Sequence, residues 1–231
     1  RIIDAVTHEL SPKQKLGDIP IPVTDLLYDG SAYVAILGDY RLSETSLPRI
    51  PILLRLSPQL EVLSATPVTS EPFEMSYSGA RAACQGQGEE GVCWVIWGDD
   101  LQKDRYLGAR VDGQGQLLDE EPRVIVEGLD FIEWHDVASL SDGRFALAAG
   151  VGGIQPPGYF PRFALLDREG GVTPPNGLAF EYDVERQGTN LLGVIERGGE
   201  LLFYFQDQNS YLAEGTKIHR TTRDLEPLDE G

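Results

Sequence analysis

GVCWVIWGDDLQKDRYLGARVDGQGQ, Gly91 to Gln116, divides into three parts: an apolar run closing on Gly98-Asp99-Asp100, a second run from Arg105 to Val111, and a tight turn at Asp112-Gly113. In an extended chain Val92, Trp94 and Ile96 point to one side of the first run, and Cys93, Val95 and Trp97 to the other. Both sets are apolar, the pattern of a strand buried on both faces. The second run places Arg110 among Leu107, Ala109 and Val111. A basic residue at that place suits an outer edge strand, where charge discourages pairing with another sheet.

The same unit recurs along the chain. Turns open at Ser57, Asp112, Asp167 and Thr222, 55 residues apart each time, and a fifth copy opens at Ser11, 46 residues before Ser57. The apolar run recurs as Ala32-YVAILGD, Arg144-FALAAG and Leu201-LFYFQD, introduced by Asp29-Gly30, Asp142-Gly143 and Gly198-Gly199, dipeptides of short hairpin loops. Arg55 and Arg220 share the repeat position of Arg110. Further short runs precede each hairpin and follow some turns, as in Pro122-RVIV, so each repeat offers three or four antiparallel strands. Repeats end near Pro20, Thr69, Val126, Phe180 and Gly231 within one expected domain.

Sheets of this kind, repeating at this spacing, resemble the blades of a β-propeller. The resemblance is to the architecture alone, since the Gly-His and Trp-Asp dipeptides of WD40 blades are absent in register. It implies an all-β propeller or propeller fragment with four full blade-like repeats and a partial N-terminal one. The N-terminal piece and the last full repeat both end with the outer half of a blade. The array is therefore expected either to be capped irregularly or to be cut from a longer propeller, with further blades or subunits completing the ring. The start at Arg1 rather than Met leads to the expectation of either a leader that was removed or a longer N-terminal region that was left out.

With 37 acidic against 19 basic residues, a formal net charge of -18, the surface repels phosphate backbones and anionic membranes, so nucleic acid is not an expected partner. No apolar run reaches the roughly 18 residues that span a bilayer, and membrane insertion is not expected. Cys84 and Cys93 lie on neighbouring runs that read as a hairpin. They form either a disulfide, in an oxidising compartment, or two buried thiols.

Chemistry is harder to read. Gly86 to Gly91 matches the dinucleotide fingerprint in letters but runs into a strand rather than a helix, so it reads as a hairpin loop. Asp39, Asp99 and Asp207 stand at the exit of the apolar strand in three repeats, with Asp100 beside Asp99, and would gather on one propeller face. Such carboxylates suit Ca²⁺ or a basic partner; equally, Gly-Asp simply opens a turn. No other cofactor is expected. Tyr159 and Phe160, on a Gly/Pro-rich connection, are either binding anchors or core covers. His135 and Asp136 are neighbours whose side chains leave a strand on opposite faces.

No nucleophile or metal-ligand motif is present. The expectation is therefore a non-catalytic binding or scaffold module, secreted or in the cell envelope, recognising a protein or glycan. The alternatives are a carbohydrate-active hydrolase with carboxylates at the axis and a structural subunit of a larger assembly.

Overall fold

The computed structural model describes residues 23–37, 51–69, 75–99, 105–128, 132–151, 162–179, 189–207 and 216–228. They form four antiparallel sheets. The first contains β1 (Val23–Tyr28), β2 (Tyr33–Leu37), β3 (Ile52–Leu56) and β4 (Val62–Pro67). The second contains β5 (Met75–Gln85), β6 (Val92–Asp99), β7 (Tyr106–Asp112) and β8 (Arg123–Val126). The third contains β9 (Ile132–Ser139), β10 (Phe145–Val151), β11 (Arg162–Leu166) and β12 (Val172–Ala179). The fourth contains β13 (Thr189–Arg197), β14 (Glu200–Asp207) and β15 (Thr216–Thr222). Strands run in sequence order across every sheet.

The first strands line the inside of the array, where β1 packs on β5, β5 on β9 and β9 on β13. Among the described residues no comparable packing joins the fourth sheet to the first. The second strand of each sheet is the apolar run of the sequence, and its two faces go to two neighbours. Trp94 and Ile96 join Phe145, Leu147, Ala164 and Leu166 of the third sheet. Cys93, Val95 and Trp97 join Val34, Ile36 and Leu53 of the first. Phe163, Ala146 and Ala148 of the third sheet meet Val194, Leu201 and Phe203 of the fourth. The fold is a β-propeller.

The 55-residue period has a physical basis in one turn repeated four times. The amide N–H groups of Ser57, Asp112, Asp167 and Thr222 each donate to the carbonyl four residues on, at 2.8, 2.9, 3.1 and 2.8 Å. Leu60, Gly115, Gly170 and Leu225, three residues after each opener, donate back to the opener's carbonyl. Their φ values are 65°, 88°, 98° and 66°, the left-handed region. The opener's own side-chain oxygen then accepts from amides inside the turn, as Asp112 Oδ1 does from Gln114 and Gln116 and Thr222 Oγ1 from Asp224 and Glu226. A short acceptor side chain is what the position requires. The copy at Ser11 lies outside the described residues.

Two expectations about local structure are settled by the strand pairing. The Gly86 to Gly91 segment is a hairpin connection carrying a 3-10 turn at Gly88–Glu90, and Cys84 and Cys93 on either side of it pair across the strands in a disulfide. The edge-strand reading of the arginines is corrected. Arg55 and Arg110 lie on β3 and β7, which pair with neighbours on both sides. Arg110 is buried against Asp119, with Nη2 to Oδ1 at 2.7 Å and Nε to Oδ2 at 3.0 Å. The charge is matched inside the sheet rather than displayed at its rim.

Candidate functional site

Three charged side chains occupy one repeat position on the innermost strands. Asp25 pairs with Ile36, Arg81 with Ile96 and Asp136 with Ala148 in the strand registers. All three are half-buried. At the matching place in the fourth sheet stands Gly193, opposite Tyr204. A Cβ on Gly193 would come within 3.0 Å of Asp136 Oδ2, so the missing side chain is what admits the carboxylate.

Each aspartate also ties its strand to the next. Asp25 Oδ2 accepts from the amide of Ala82 at 2.8 Å, and Asp136 Oδ2 from that of Val194 at 2.9 Å. Thr24 Oγ1 donates to Ala80 O at 2.9 Å, and Arg81 Nη1 donates to Thr24 O.

Burial pushes the Asp136 carboxyl above the ordinary aspartate range. The amides of Val194 and Val137 and the charge of Arg81 oppose the shift, and the charge of Asp25 adds to it. Asp136 is thus disposed to hold a proton. His135 leaves the strand on the other face, as alternation dictates, and is fully enclosed between sheets. Its Nε2 lies 2.9 Å from Ile96 O, its ring 5.1 Å from that of Tyr106, and burial lowers its pKa to about 3. It stays neutral and structural.

The residues singled out from the sequence do not form this group. The Asp99 carboxylate accepts from Arg105 Nε at 2.9 Å and Nη2 at 2.8 Å and is almost enclosed. Asp207 ends β14 opposite Thr189. Asp39, Asp100, Tyr159 and Phe160 lie outside the described residues. Among the described residues no three His, Cys, Asp or Glu side chains are grouped to hold a metal ion. No described helix is long and apolar enough to cross a membrane. The axial trio did leave a signal, since Asp25, Arg81 and Asp136 are spaced 56 and 55 residues apart.

No family model and no curated protein matches the chain. Solved structures do. A protein of unknown function from Dyadobacter fermentans is 16% identical with a TM-score of 0.54, over 83% of this chain and 50% of its own. A bifunctional GH43-CE protein of Bacteroides eggerthii is 11% identical with a TM-score of 0.52, over 88% of this chain and 26% of its own. The GH43_1 enzyme from Xanthomonas citri, complexed with xylotriose, is 13% identical with a TM-score of 0.49, over 90% and 72%. The chain thus spans half the length of the first and about a quarter of the second. At these identities the likeness shows the fold alone.

The expectation of a non-catalytic scaffold is overturned by these matches. Of the two structures with a TM-score above 0.5, the one whose name carries an activity is the bifunctional GH43-CE protein, not a binding module.

Proposed function

We propose that this chain is a carbohydrate-active hydrolase whose site lies on the propeller axis, with Asp136 as proton donor and Asp25 as the second carboxyl group, the proton acceptor. The observation that carries the reading is the repeat position shared by Asp25, Arg81 and Asp136 on successive inner strands, with the Asp136 pKa raised. Glycoside hydrolysis uses two carboxyl groups flanking the scissile bond. Asp136 gives its proton to the leaving glycosidic oxygen as the C–O bond breaks. Water adds its hydroxyl to the sugar carbon and passes its proton to Asp25. The shared fold with the Bacteroides eggerthii protein supports the reaction class. A glycan is the ligand, and the Cys84–Cys93 disulfide supports a place outside the cytoplasm, secreted or in the cell envelope.

The test is release of reducing ends from a panel of neutral polysaccharides and aryl glycosides by the full chain. Asp136→Asn and Asp25→Asn each retain an oxygen for the amides of Val194 and Ala82, so both fold. Each is expected to lose about 10²-fold or more in kcat. Wild-type activity falls as pH rises through the elevated Asp136 pKa. A wild-type chain inert on the panel, or either variant at full rate, overturns the reading.

A further inference from the structure

β5 runs between β1 and β9 on the inside of the array, so Arg81 stands between Asp25 and Asp136 at their shared repeat position. Elsewhere the chain matches its arginines with acids. Arg55, Arg105, Arg110, Arg144 and Arg220 each meet a carboxylate at 2.7 to 2.9 Å. Arg81 does not. Among the described residues its guanidinium makes one hydrogen bond, from Nη1 to Thr24 O, and no ion pair. The flanking acids are turned to backbone amides instead. Asp25 Oδ1 accepts from Leu26 at 2.9 Å and Oδ2 from Ala82 at 2.8 Å, while Asp136 Oδ2 accepts from Val194 at 2.9 Å. Arg81 acts on Asp136 through space rather than by contact.

The bond to Thr24 anchors this cation on the neighbouring strand. Thr24 Oγ1, donating to Ala80 O at 2.9 Å, ties the same two strands beside it. A guanidinium carries five N–H donors in a rigid plane, so most of the fork is left for a ligand. The side chain is half-buried. A neutral sugar seated on it would strip water from the charge without matching it, and desolvating an unmatched charge is costly. A planar carboxylate both neutralises the guanidinium and accepts two parallel N–H bonds from it.

We propose that the axial site prefers a sugar unit bearing a carboxylate, a hexuronate, gripped by Arg81 between Asp25 and Asp136. The inference rests on the reading that a glycan occupies the propeller axis, and it adds the chemical class of the unit bound there. The net charge of -18 does not forbid such a ligand. At physiological ionic strength fields between exposed charges fade over about 8 Å, so one carboxylate in contact with Arg81 is governed by that pair.

Calorimetric titration of the full chain with monosaccharides tests the preference without any bond being cleaved. Glucuronate or galacturonate is expected to bind about tenfold tighter than glucose or galactose, the gain of a charge-assisted over a neutral contact. Glucuronamide, which keeps the shape and loses the charge, is expected to bind like glucose. Arg81→Gln is expected to bring acid and neutral sugar to the same affinity, and Arg81→Lys to restore part of the difference. Thr24→Val, which removes the neighbouring strand tie and keeps the guanidinium, is expected to retain the preference. Equal affinity of the wild type for glucuronate and glucuronamide, or no binding of either uronate, overturns the proposal. Glucose 6-sulfate binding as tightly as the uronates also overturns it, since the site would then select charge and not a carboxylate. A chain that hydrolyses neutral glycosides without uronate preference removes this inference and leaves the hydrolase standing; one that binds uronates and cleaves nothing does the reverse.

Discussion

Arg110 and Arg220 hold the same repeat position 110 residues apart, one at the seam between the second and third sheets and one on the open side of the fourth. At the seam, Arg110 is shut in with Asp119, which also accepts from Arg123 Nε at 2.7 Å. Its guanidinium lies 5.9 Å from the Trp94 ring centroid. On the open side, Arg220 meets Glu200 at 2.7 Å with both side chains partly in water. The residue type and the partner chemistry are alike. The energy differs because only the seam removes water.

The largest effect that would break this comparison comes from cutting each pair. Arg110→Met leaves the Asp119 carboxylate buried without its main partner and is expected to cost about 3–5 kcal/mol in denaturant unfolding. Arg220→Met is expected to cost about 1 kcal/mol or less. Equal costs would show that the open face is enclosed in solution as tightly as the seam. The pH dependence follows. Burial raises the Asp119 pKa, but the hydrogen bonds from Arg110 and Arg123 outweigh it and hold the group below the usual aspartate value. Its contribution is therefore present above the unfolded pKa and is lost as pH falls through the folded one.

A smaller effect tests the other flank of the second sheet. Reducing Cys84–Cys93, which closes a separation of nine residues, is expected to cost roughly 2–3 kcal/mol on the chain-entropy model. Exchange should rise in the β5–β6 hairpin and stay unchanged in β13 to β15. A rise in both would mean that the ring unfolds as one unit rather than sheet by sheet.

The smallest effect sharpens the seam itself. His135 has a folded pKa of about 3, far below the roughly 6.5 of the unfolded chain. A depressed histidine contributes full stability above the unfolded value and loses it as pH falls towards the folded one. At pH 5 the loss is about 2 kcal/mol, from about 1.4 kcal/mol per pH unit. His135→Gln keeps an N–H for Ile96 O, so its melting temperature should change less than the wild type's between pH 7 and pH 5. Parallel curves would remove His135 as the source.

The sequence was most legible where structure is local. Ser57, Asp112, Asp167 and Thr222 stand out because one turn demands an acceptor side chain at its first place and tolerates a left-handed residue at its fourth. The two-sided burial of β6 was legible for a similar reason, since its period-two pattern is apolar on both faces. The role of Arg110 was hidden, because Asp119 lies on an irregular stretch beyond the turn and no period predicts where that stretch folds. Asp99 looked free because its partner, Arg105, lies across a hairpin six residues on. The axial trio escaped notice on half-exposed strands with little apolar pattern, among 37 acidic residues.

The four turns are closed entirely by hydrogen bonds between residues at most four apart. None of them waits for the ring. Each can form within the time of hairpin closure, microseconds, before any sheet has found its neighbour. The chain therefore has four equivalent places at which folding can start, and damage to one turn leaves three entry routes open. A propeller built this way is expected to refold by parallel paths, with rates that respond weakly to any single turn and strongly to the packing of inner strands, whose contacts lie about 55 residues apart.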